Sequence, residues 1–317
     1  MHPIIDAHHH LWPGAHIGGD DYLLEQLHAD TASTDGVVAT IFMECGVGYR
    51  TDGPDHLKPV GEVEFVAGVA DASDAADGPP IVGIVGSADL TLPIDQLDEV
   101  LDAQVAAGGG RFRGIRDALA SAPDGAELLI AGRNAPGKAA DPNFRRGVQH
   151  LGSRGLTYDS WHYHMQNQDF RDMAEACGDT TIVLDHFGTP LGVYEDLDEV
   201  FPRWQADITA IAALPNVVAK IGGLAMPDNG FGWHMDPANF PNAETVAAAQ
   251  ERWYLHTIEA FGPERCMFES NFPVDSLSLD YSTYWDACRI MAARYSDAEQ
   301  AAMFAGTAAR VYSLDVL

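Results

Sequence analysis

The sequence is poor in basic residues, with 18 Lys and Arg against 47 Asp and Glu, a net charge of −29 over 317 residues. A field of this sign repels nucleic-acid phosphates and anionic membrane surfaces. No apolar run approaches the roughly 20 residues that span a bilayer. The first twelve residues, MHPIIDAHHHLW, lack the basic and apolar regions of a signal peptide. We therefore expect a cytoplasmic protein with no nucleic-acid or membrane partner.

Cysteine pairs and several catalytic motifs are also missing. The four cysteines lie far apart in the sequence and form no CxxC pair, so we expect them to be reduced, small apolar residues. The chain lacks GxSxG, GxxxxGK[ST] and HExxH. Serine-esterase, P-loop and zincin chemistry therefore have no sequence support.

Short β-branched runs alternate with helix-period stretches along the whole chain. Nearly continuous apolar strands separated by helices are typical of parallel βα units. Eight such units predict one (β/α)₈ barrel, a TIM barrel, over residues 1–317. A doubly wound open sheet is the alternative, but no GxGxxG follows the first strand. The predicted strands are Pro3–Ala7, Val37–Glu44, Ile81–Ala88, Phe112–Arg116, Leu156–Trp161, Thr180–His186, Asn216–Ile221 and Arg265–Asn271.

One long Gly-, Pro- and aromatic-rich loop, Gly222–Pro241, follows the seventh strand. Long loops without secondary structure of their own are usually functional or disordered. Phe231, Trp233 and Phe240 give this loop too much apolar surface for disorder. We predict a lid over the site, and the alternative is a loop packed on the outer helices.

Histidines gather at the predicted strand ends. His8 and His10 are two apart at the end of the first strand, so both rings should point to the same side, inward at the catalytic rim of the barrel. Two converging imidazoles form half of a metal site. His164 follows the fifth strand and His186 closes the sixth. Each of these histidines alone could be structural, but the set favours a functional site.

Carboxylates and an amide lie at the end of the eighth strand. Glu269, Asn271 and Asp275 share one parity, with Pro273 interrupting the strand before Asp275. A carboxylate here could bind a metal or deprotonate water. The alternative for Glu269 is a buried partner of a basic residue.

The few basic residues are concentrated near the predicted strands. Arginines hold carboxylates through paired N–H groups, so these side chains predict an anionic small-molecule substrate. The alternative is structural salt bridges to Glu44 or Glu269. The candidates for substrate binding, with an aromatic neighbour at the end of the fifth strand, are Arg50, Arg113, Arg116, Lys220 and Trp161.

Six ordered motifs give the chain a resemblance to a known superfamily. They are DAHHHLW, GGGRFRGIRD, WHYHMQ, IVLDHFGTPLG, NVVAKIGGLAMP and GPERCMFESNFPVD. Together they resemble the amidohydrolase superfamily, and most closely the branch of 2-pyrone-4,6-dicarboxylate lactonase, L-fuconolactonase and related decarboxylases. The resemblance covers essentially the whole chain and implies a TIM-barrel enzyme.

The resemblance also implies roles for individual residues. His8, His10 and His164 match the ligands of one divalent ion, zinc or manganese. His186 matches the histidine that polarises the substrate or assists proton transfer, and Arg113 and Arg116 match the arginines that hold a substrate carboxylate. Relatives carry an aspartate in the SDxP motif of the eighth strand as metal ligand and general base, whereas this chain has Asn271.

The departure at Asn271 leaves alternatives open. Either Glu269 or Asp275 replaces the aspartate as base, or catalysis runs without a metal. The leading expectation is a hydrolase that opens a lactone of a carboxylated small molecule. A metal-dependent decarboxylase of an aromatic or muconate-type acid is the second possibility, and an impaired barrel that binds a small acid is the third. Because relatives vary between monomers and larger assemblies, the chain could also form a homo-oligomer.

Overall fold

A computed structural model describes residues 2–14 and 19–316. Within these residues, eight parallel strands form one sheet whose spatial order follows the chain from the first strand to the eighth. The architecture is the predicted (β/α)₈ barrel. The strands are β1 (Ile4–His9), β2 (Val37–Met43), β3 (Ile81–Gly86), β4 (Phe112–Arg116), β5 (Thr157–Ser160), β6 (Ile182–Leu184), β7 (Val217–Gly222) and β8 (Cys266–Glu269).

Four of the described helices begin at residues whose side chains accept hydrogen bonds from free backbone N–H groups. Asp141 accepts a hydrogen bond from the Asn143 amide at 2.8 Å, and Asn242 accepts one from the Thr245 amide at 2.9 Å. None of the helices in the described residues is long and apolar enough to cross a membrane. The helices are α1 (Leu24–Ala32), α2 (Val60–Asp74), α3 (Ile94–Ala107), α4 (Pro142–Ser153), α5 (Asn167–Ala176), α6 (Leu197–Ala212), α7 (Ala243–Phe261), α8 (Tyr281–Ala292), α9 (Asp297–Ala301) and α10 (Thr307–Val311).

The seam between β8 and β1 is held by a few specific bonds. The His10 amide donates to the Phe272 carbonyl at 2.8 Å, and the Asn271 amide donates to the His8 carbonyl at 3.0 Å. The buried Asp6 side chain accepts from the Ser270 amide at 2.8 Å. These bonds hold the ends of β1 and β8 together, which places His8, His10 and Asn271 side by side.

Two large apolar clusters form most of the core, and a third, small one contains Ala120, Tyr163 and Leu191. Alternate strand positions such as Ile5, Ile41 and Met267 form an inner cluster with Tyr312 of the C-terminal segment. The intervening positions pack against the helices in a larger outer cluster. Because alternate residues of a strand face opposite sides, this division places one set inside the barrel and the other under the helices. The four cysteines are free.

The segment after β7, residues 223–242, is more structured than its composition predicts. It contains two short 3₁₀ helices, Pro227–Asn229 and Trp233–Met235. Its first half is buried, and the Asp228 carboxylate accepts from the amides of Leu129 and Ile130, each at 2.8 Å. This half therefore forms a fixed wall. Closure of the remainder over the site stays a prediction.

Candidate active site at the carboxyl ends of the strands

A cavity of about 310 Å³ opens at the carboxyl ends of the strands. His186 and Asn271, both on its surface, have φ values of 54° and 56°. Left-handed backbone at residues other than glycine is strained and concentrates at functional sites. The lining residues are His10, Trp12, Glu44, Cys45, Gly46, Arg116, Ala118, Ile130, Trp161, His186, Met226, Asn271 and Val274.

The two histidines of the HxH motif converge as their parity predicts. Their Nε2 atoms lie 3.2 Å apart, close to the roughly 3.3 Å between two nitrogens that share one tetrahedral zinc at about 2.0–2.1 Å. His10 Nδ1 contacts the Met43 carbonyl at 2.9 Å, which orients the ring. Burial lowers the pKa of both His8 and His10 well below the usual range. Both rings are therefore neutral, as metal ligands must be.

Glu269 connects two of the site histidines. Its carboxylate lies 2.8 Å from His8 Nδ1 and 2.7 Å from His186 Nδ1, and all three side chains are buried. Burial opposes the charged form of His186, but the Glu269 carboxylate raises its pKa above the ordinary value. The contact fixes the ring of His186, because its Nδ1 is engaged while its side chain lines the cavity.

A buried ionic layer lies beside the histidines. Lys220 Nζ is 2.9 Å from Asp159 and 3.3 Å from Asp185. Neither carboxylate oxygen of Asp185 accepts a hydrogen bond from the described residues. His8, Asp185 and His186 each offer a ligand atom within 4.8 Å of the others. A buried carboxylate without hydrogen bonds, beside the imidazole of His8 with its lowered pKa, is a donor set that fits a divalent cation.

Asn271 and Asp275 form a hydrogen-bonded pair at the cavity. Asn271 Nδ2 donates to one oxygen of Asp275 at 2.9 Å, and the Ala225 amide donates to the other at 3.0 Å. Burial raises the pKa of Asp275 to about 7. Of the two, only Asn271 lines the cavity, and Asp275 lies behind it, bonded to its side-chain amide.

Four predicted site residues lie elsewhere in the structure. His164 Nε2 contacts Glu195 at 2.9 Å and not the HxH pair, because the chain has turned into a 3₁₀ helix. The other three are cations that do not line the cavity. Arg50 pairs with Glu64 near the surface, Arg113 donates to the Gly110 and Phe112 carbonyls, and Lys220 is enclosed by carboxylates.

Two acidic residues join the site without having been predicted there. Asp185 immediately precedes His186, and the positive φ that follows β6 brings both side chains to one side. Glu44 directly follows β2 and accepts from Arg116 Nε at 2.7 Å. For Arg116, this ion pair is the structural salt bridge to Glu44 that was expected from the sequence as the alternative to substrate binding. Both residues could have been identified from the sequence, because each is a carboxylate at or next to the end of a predicted strand.

Comparison with known proteins agrees with this geometry. The amidohydrolase family profile matches residues 5–314. An uncharacterized protein of Sinorhizobium fredii, y4mH, is 32% identical over 98% of both chains. L-Fucono-1,5-lactonase of Burkholderia multivorans is 28% identical over 98% of this chain and 96% of its own length.

Solved structures extend the similarity. A zinc-bound amidohydrolase from Burkholderia multivorans is 28% identical, with a TM-score of 0.77 over 98% of this chain and 99% of that chain. The fold is shared by a 2-pyrone-4,6-dicarboxylic acid hydrolase-like protein of Pseudomonas putida, at 15% identity and a TM-score of 0.63, covering 100% of both chains. The family match spans nearly the whole sequence, so this chain belongs to the amidohydrolase family of hydrolases.

Proposed function

We propose that this chain is a lactonase, which adds water across the acyl C–O bond of a cyclic ester and releases a hydroxy acid. The observation that carries the proposal is the Glu269–His186 pair, whose imidazole lines the cavity beside His10 and Asn271. The 28% identity to L-fucono-1,5-lactonase supports the same reaction class. A cavity of about 310 Å³ suits a small molecule.

His8 and His10 would hold one divalent metal, with Asp185 as the third ligand because its carboxylate lies within 4.8 Å of a His8 nitrogen. The zinc in the similar Burkholderia structure supports the presence of a metal. When bound, such an ion supplies Lewis-acid polarisation of a carbonyl and of water. His10 is kept in orientation by the Met43 carbonyl, a second contact of the kind that metal-binding histidines need.

The proton path follows from the contacts of His186. Water that attacks the lactone carbonyl gives its proton to the free ring nitrogen, Nε2, while Glu269 holds Nδ1 at 2.7 Å. The same proton then passes to the leaving alkoxide, which balances the reaction. Neither Glu269 nor Asp275 lines the cavity, so both position other groups. Asn271 is available to hydrogen-bond the substrate.

The test is a panel of lactones offered to the purified protein with zinc or manganese, with acid release as the readout. We expect turnover of at least one lactone, and a kcat about 10²–10⁴-fold lower for His186→Ala. His56→Ala is the matched control, since that histidine pairs with Glu99 away from the cavity. Absence of lactone turnover in folded, metal-supplemented protein would refute the proposal, and release of carbon dioxide from an acid would favour a decarboxylase.

Metal content tests the ligand assignment separately. We expect about one equivalent after purification without chelator, retained in His164→Ala and lost in the double variant His8→Ala/His10→Ala. Loss of the metal in His164→Ala would restore the ligand set implied by the family resemblance.

One observation favours a metal-free form of the same reaction. Arg116 Nη1 lies 3.3 Å from His8 Nε2, and Lys220 Nζ lies 3.4 Å from His8 Nδ1. Arg116 pairs with Glu44, and Lys220 pairs with Asp159 and Asp185, so each of these carboxylates has a cationic partner without a divalent ion. Lactone turnover that survives chelation, by protein without bound metal, would establish this form.

A further inference from the structure

The positive charge available to a substrate in the cavity is small. Among the described residues, Arg116 is the one Lys or Arg that lines the cavity. Its Nε donates to a Glu44 carboxylate oxygen at 2.7 Å, and its Nη2 donates to the Glu44 carbonyl. Its Nη1 faces His8 at 3.3 Å and Asp185 at 3.8 Å. Each of the three guanidinium nitrogens therefore already contacts one of this protein's own groups.

Glu44 places a carboxylate on the same wall. Its side chain is 16% exposed and that of Arg116 is 8% exposed, so the pair is partly shielded from water. A substrate carboxylate that approaches Arg116 would compete with this ion pair and would meet the Glu44 charge at short range. Like charges in a shielded site repel strongly. The pair thus selects against anions.

The other residues that line the cavity change from polar to apolar with distance from the strand ends. The polar lining residues lie at a strand end or within two positions of it, as His10, Glu44 and Asn271 illustrate. The loops above them contribute apolar surface. These residues are Trp12, Ile130, Met226 and Val274, joined by Ala118 and Trp161, which lie within two positions of the ends of β4 and β5.

Apolar walls over a polar floor determine which groups of a substrate can be buried. A lactone whose carbonyl lies at the floor would place its ring substituents against these walls. Hydroxyl groups buried against the apolar side chains, away from Glu44, would lose water without gaining partners, which is costly. Alkyl or aromatic groups would gain from the same contact.

We propose that the substrate is an uncharged lactone with an apolar or aromatic body, and that Glu44 determines this specificity by occupying Arg116. The inference rests on the proposed lactonase activity and replaces the carboxylated substrate expected from sequence. It also distinguishes this site from one that would take a polyhydroxylated sugar lactone.

The first test compares three lactone classes on the wild-type holoenzyme. Dihydrocoumarin and an alkyl δ-lactone represent the uncharged apolar class, a carboxylated dihydrocoumarin the anionic class, and glucono-1,5-lactone the polyhydroxylated class. We expect kcat/KM for the apolar class to exceed that of both others by at least about tenfold. A carboxylated or polyhydroxylated lactone that is turned over equally well, or better, overturns the inference while leaving the lactonase activity intact.

The second test removes the Glu44 charge. We expect Glu44→Gln to raise the ratio of kcat/KM for carboxylated dihydrocoumarin over the uncharged compound by about tenfold, chiefly through KM. Glu64→Gln is the matched control, because it removes one negative charge and frees Arg50, which does not line the cavity. An equal ratio in the two variants overturns the role of Glu44. Turnover of no lactone by the wild type refutes the lactonase proposal itself, and this inference falls with it.

Discussion

Asn271 donates a hydrogen bond from Nδ2 to Asp275 Oδ1 across 2.9 Å, and both side chains are buried. Asn271→Asp would replace this donor by a second carboxylate at hydrogen-bonding distance from the first. We expect the metal-free, chelated variant to lose about 1–3 kcal/mol in the free energy of unfolding, measured by urea titration.

A double variant supplies the control for this prediction. Asn271→Asp/Asp275→Asn exchanges donor and acceptor and leaves the number of charges unchanged. We expect it to recover at least half of the loss. Equal stability of Asn271→Asp and the wild type would show that the hydrogen bond contributes nothing.

Glu62 is a buried carboxyl in α2 that holds the loop beside the cavity. It accepts from the amides of Cys45 at 2.9 Å and Val47 at 3.0 Å. Burial, followed by the charge of Glu44, raises the pKa of Glu62 from 4.5 to about 8. Between these two values the folded protein holds a proton that the unfolded chain releases. The Glu62 contribution to stability is therefore complete below pH 4.5 and is lost as the pH rises to about 8.

Glu62→Gln should remove this dependence, because a neutral amide can still accept through Oε1. We expect the stability of Glu62→Gln relative to the wild type to rise by about 1–3 kcal/mol between pH 5 and pH 8, from urea midpoints. Glu127→Gln, at an exposed loop carboxylate, is the control and should give no such trend. A constant difference between Glu62→Gln and the wild type across this range would contradict the prediction.

At the scale of the elements, the seam between β8 and β1 depends on one buried carboxylate. Asp6 accepts from the Ser270 amide at 2.8 Å, from Ser270 Oγ at 2.6 Å and from the Tyr281 hydroxyl at 3.0 Å. Asp6→Ala leaves these donors unpaired inside the protein. We expect a loss of about 3 kcal/mol or more, with faster hydrogen exchange at the His10 and Asn271 amides that cross the seam.

Tyr281→Phe is a milder variant whose loss of stability can be compared with that of Asp6→Ala. It deletes one of the four donors to Asp6, the fourth being the His8 amide at 3.4 Å, and keeps the ring packing. We therefore expect a loss of about 1 kcal/mol and little change in exchange across the seam. Comparable losses in Tyr281→Phe and Asp6→Ala would mean that the single hydroxyl bond from Tyr281, and not the full set of bonds to Asp6, holds the strands together.

The elements were predictable where periodicity continues and less so where it stops. All eight predicted strands are present, and Phe112–Arg116 has the predicted bounds. The prediction Thr180–His186 is longer than the observed β6, Ile182–Leu184, because the chain turns at His186 with a φ of 54°. Apolar runs reveal the buried part of a strand, whereas the turn that follows depends on tertiary contacts.

The same limit explains which site residues could be predicted. His8 and His10 share one parity and converge, but strict alternation from the inward-facing Ile5 would turn both outward. The register irregularity between Asp6 and His9 changes the side that they face, and a sequence pattern does not reveal it. His164 lies beyond Ser160, the last residue of β5, where counting by twos no longer describes direction. For the same reason Asp185 and His186, adjacent in sequence, share one group of potential ligands. Most candidate site residues of this barrel lie just beyond the strand ends, where strand periodicity no longer predicts side-chain direction.

At the scale of the whole molecule, the net charge of −29 acts on both substrate and fold. A negative field slows the approach of anions and leaves the encounter rate of uncharged molecules unchanged. The electrostatic field of the whole protein therefore disfavours anionic substrates, as we propose for the Glu44–Arg116 pair inside the cavity. An uncharged substrate is consistent with both.

The same charge should make stability depend on salt. Surface ion pairs such as Arg111–Asp74 lose strength when screened, but the 18 basic residues can pair with fewer than half of the 47 acidic ones. Repulsion among the remaining carboxylates is the larger effect, so screening should stabilise the fold. We expect Tm to rise as NaCl increases from about 0.01 to 0.15 M and to level off as the Debye length falls below about 8 Å. KCl at equal ionic strength should give the same curve, since screening depends on ionic strength and not on the cation. A Tm that falls with salt would show that the ion pairs outweigh the repulsion.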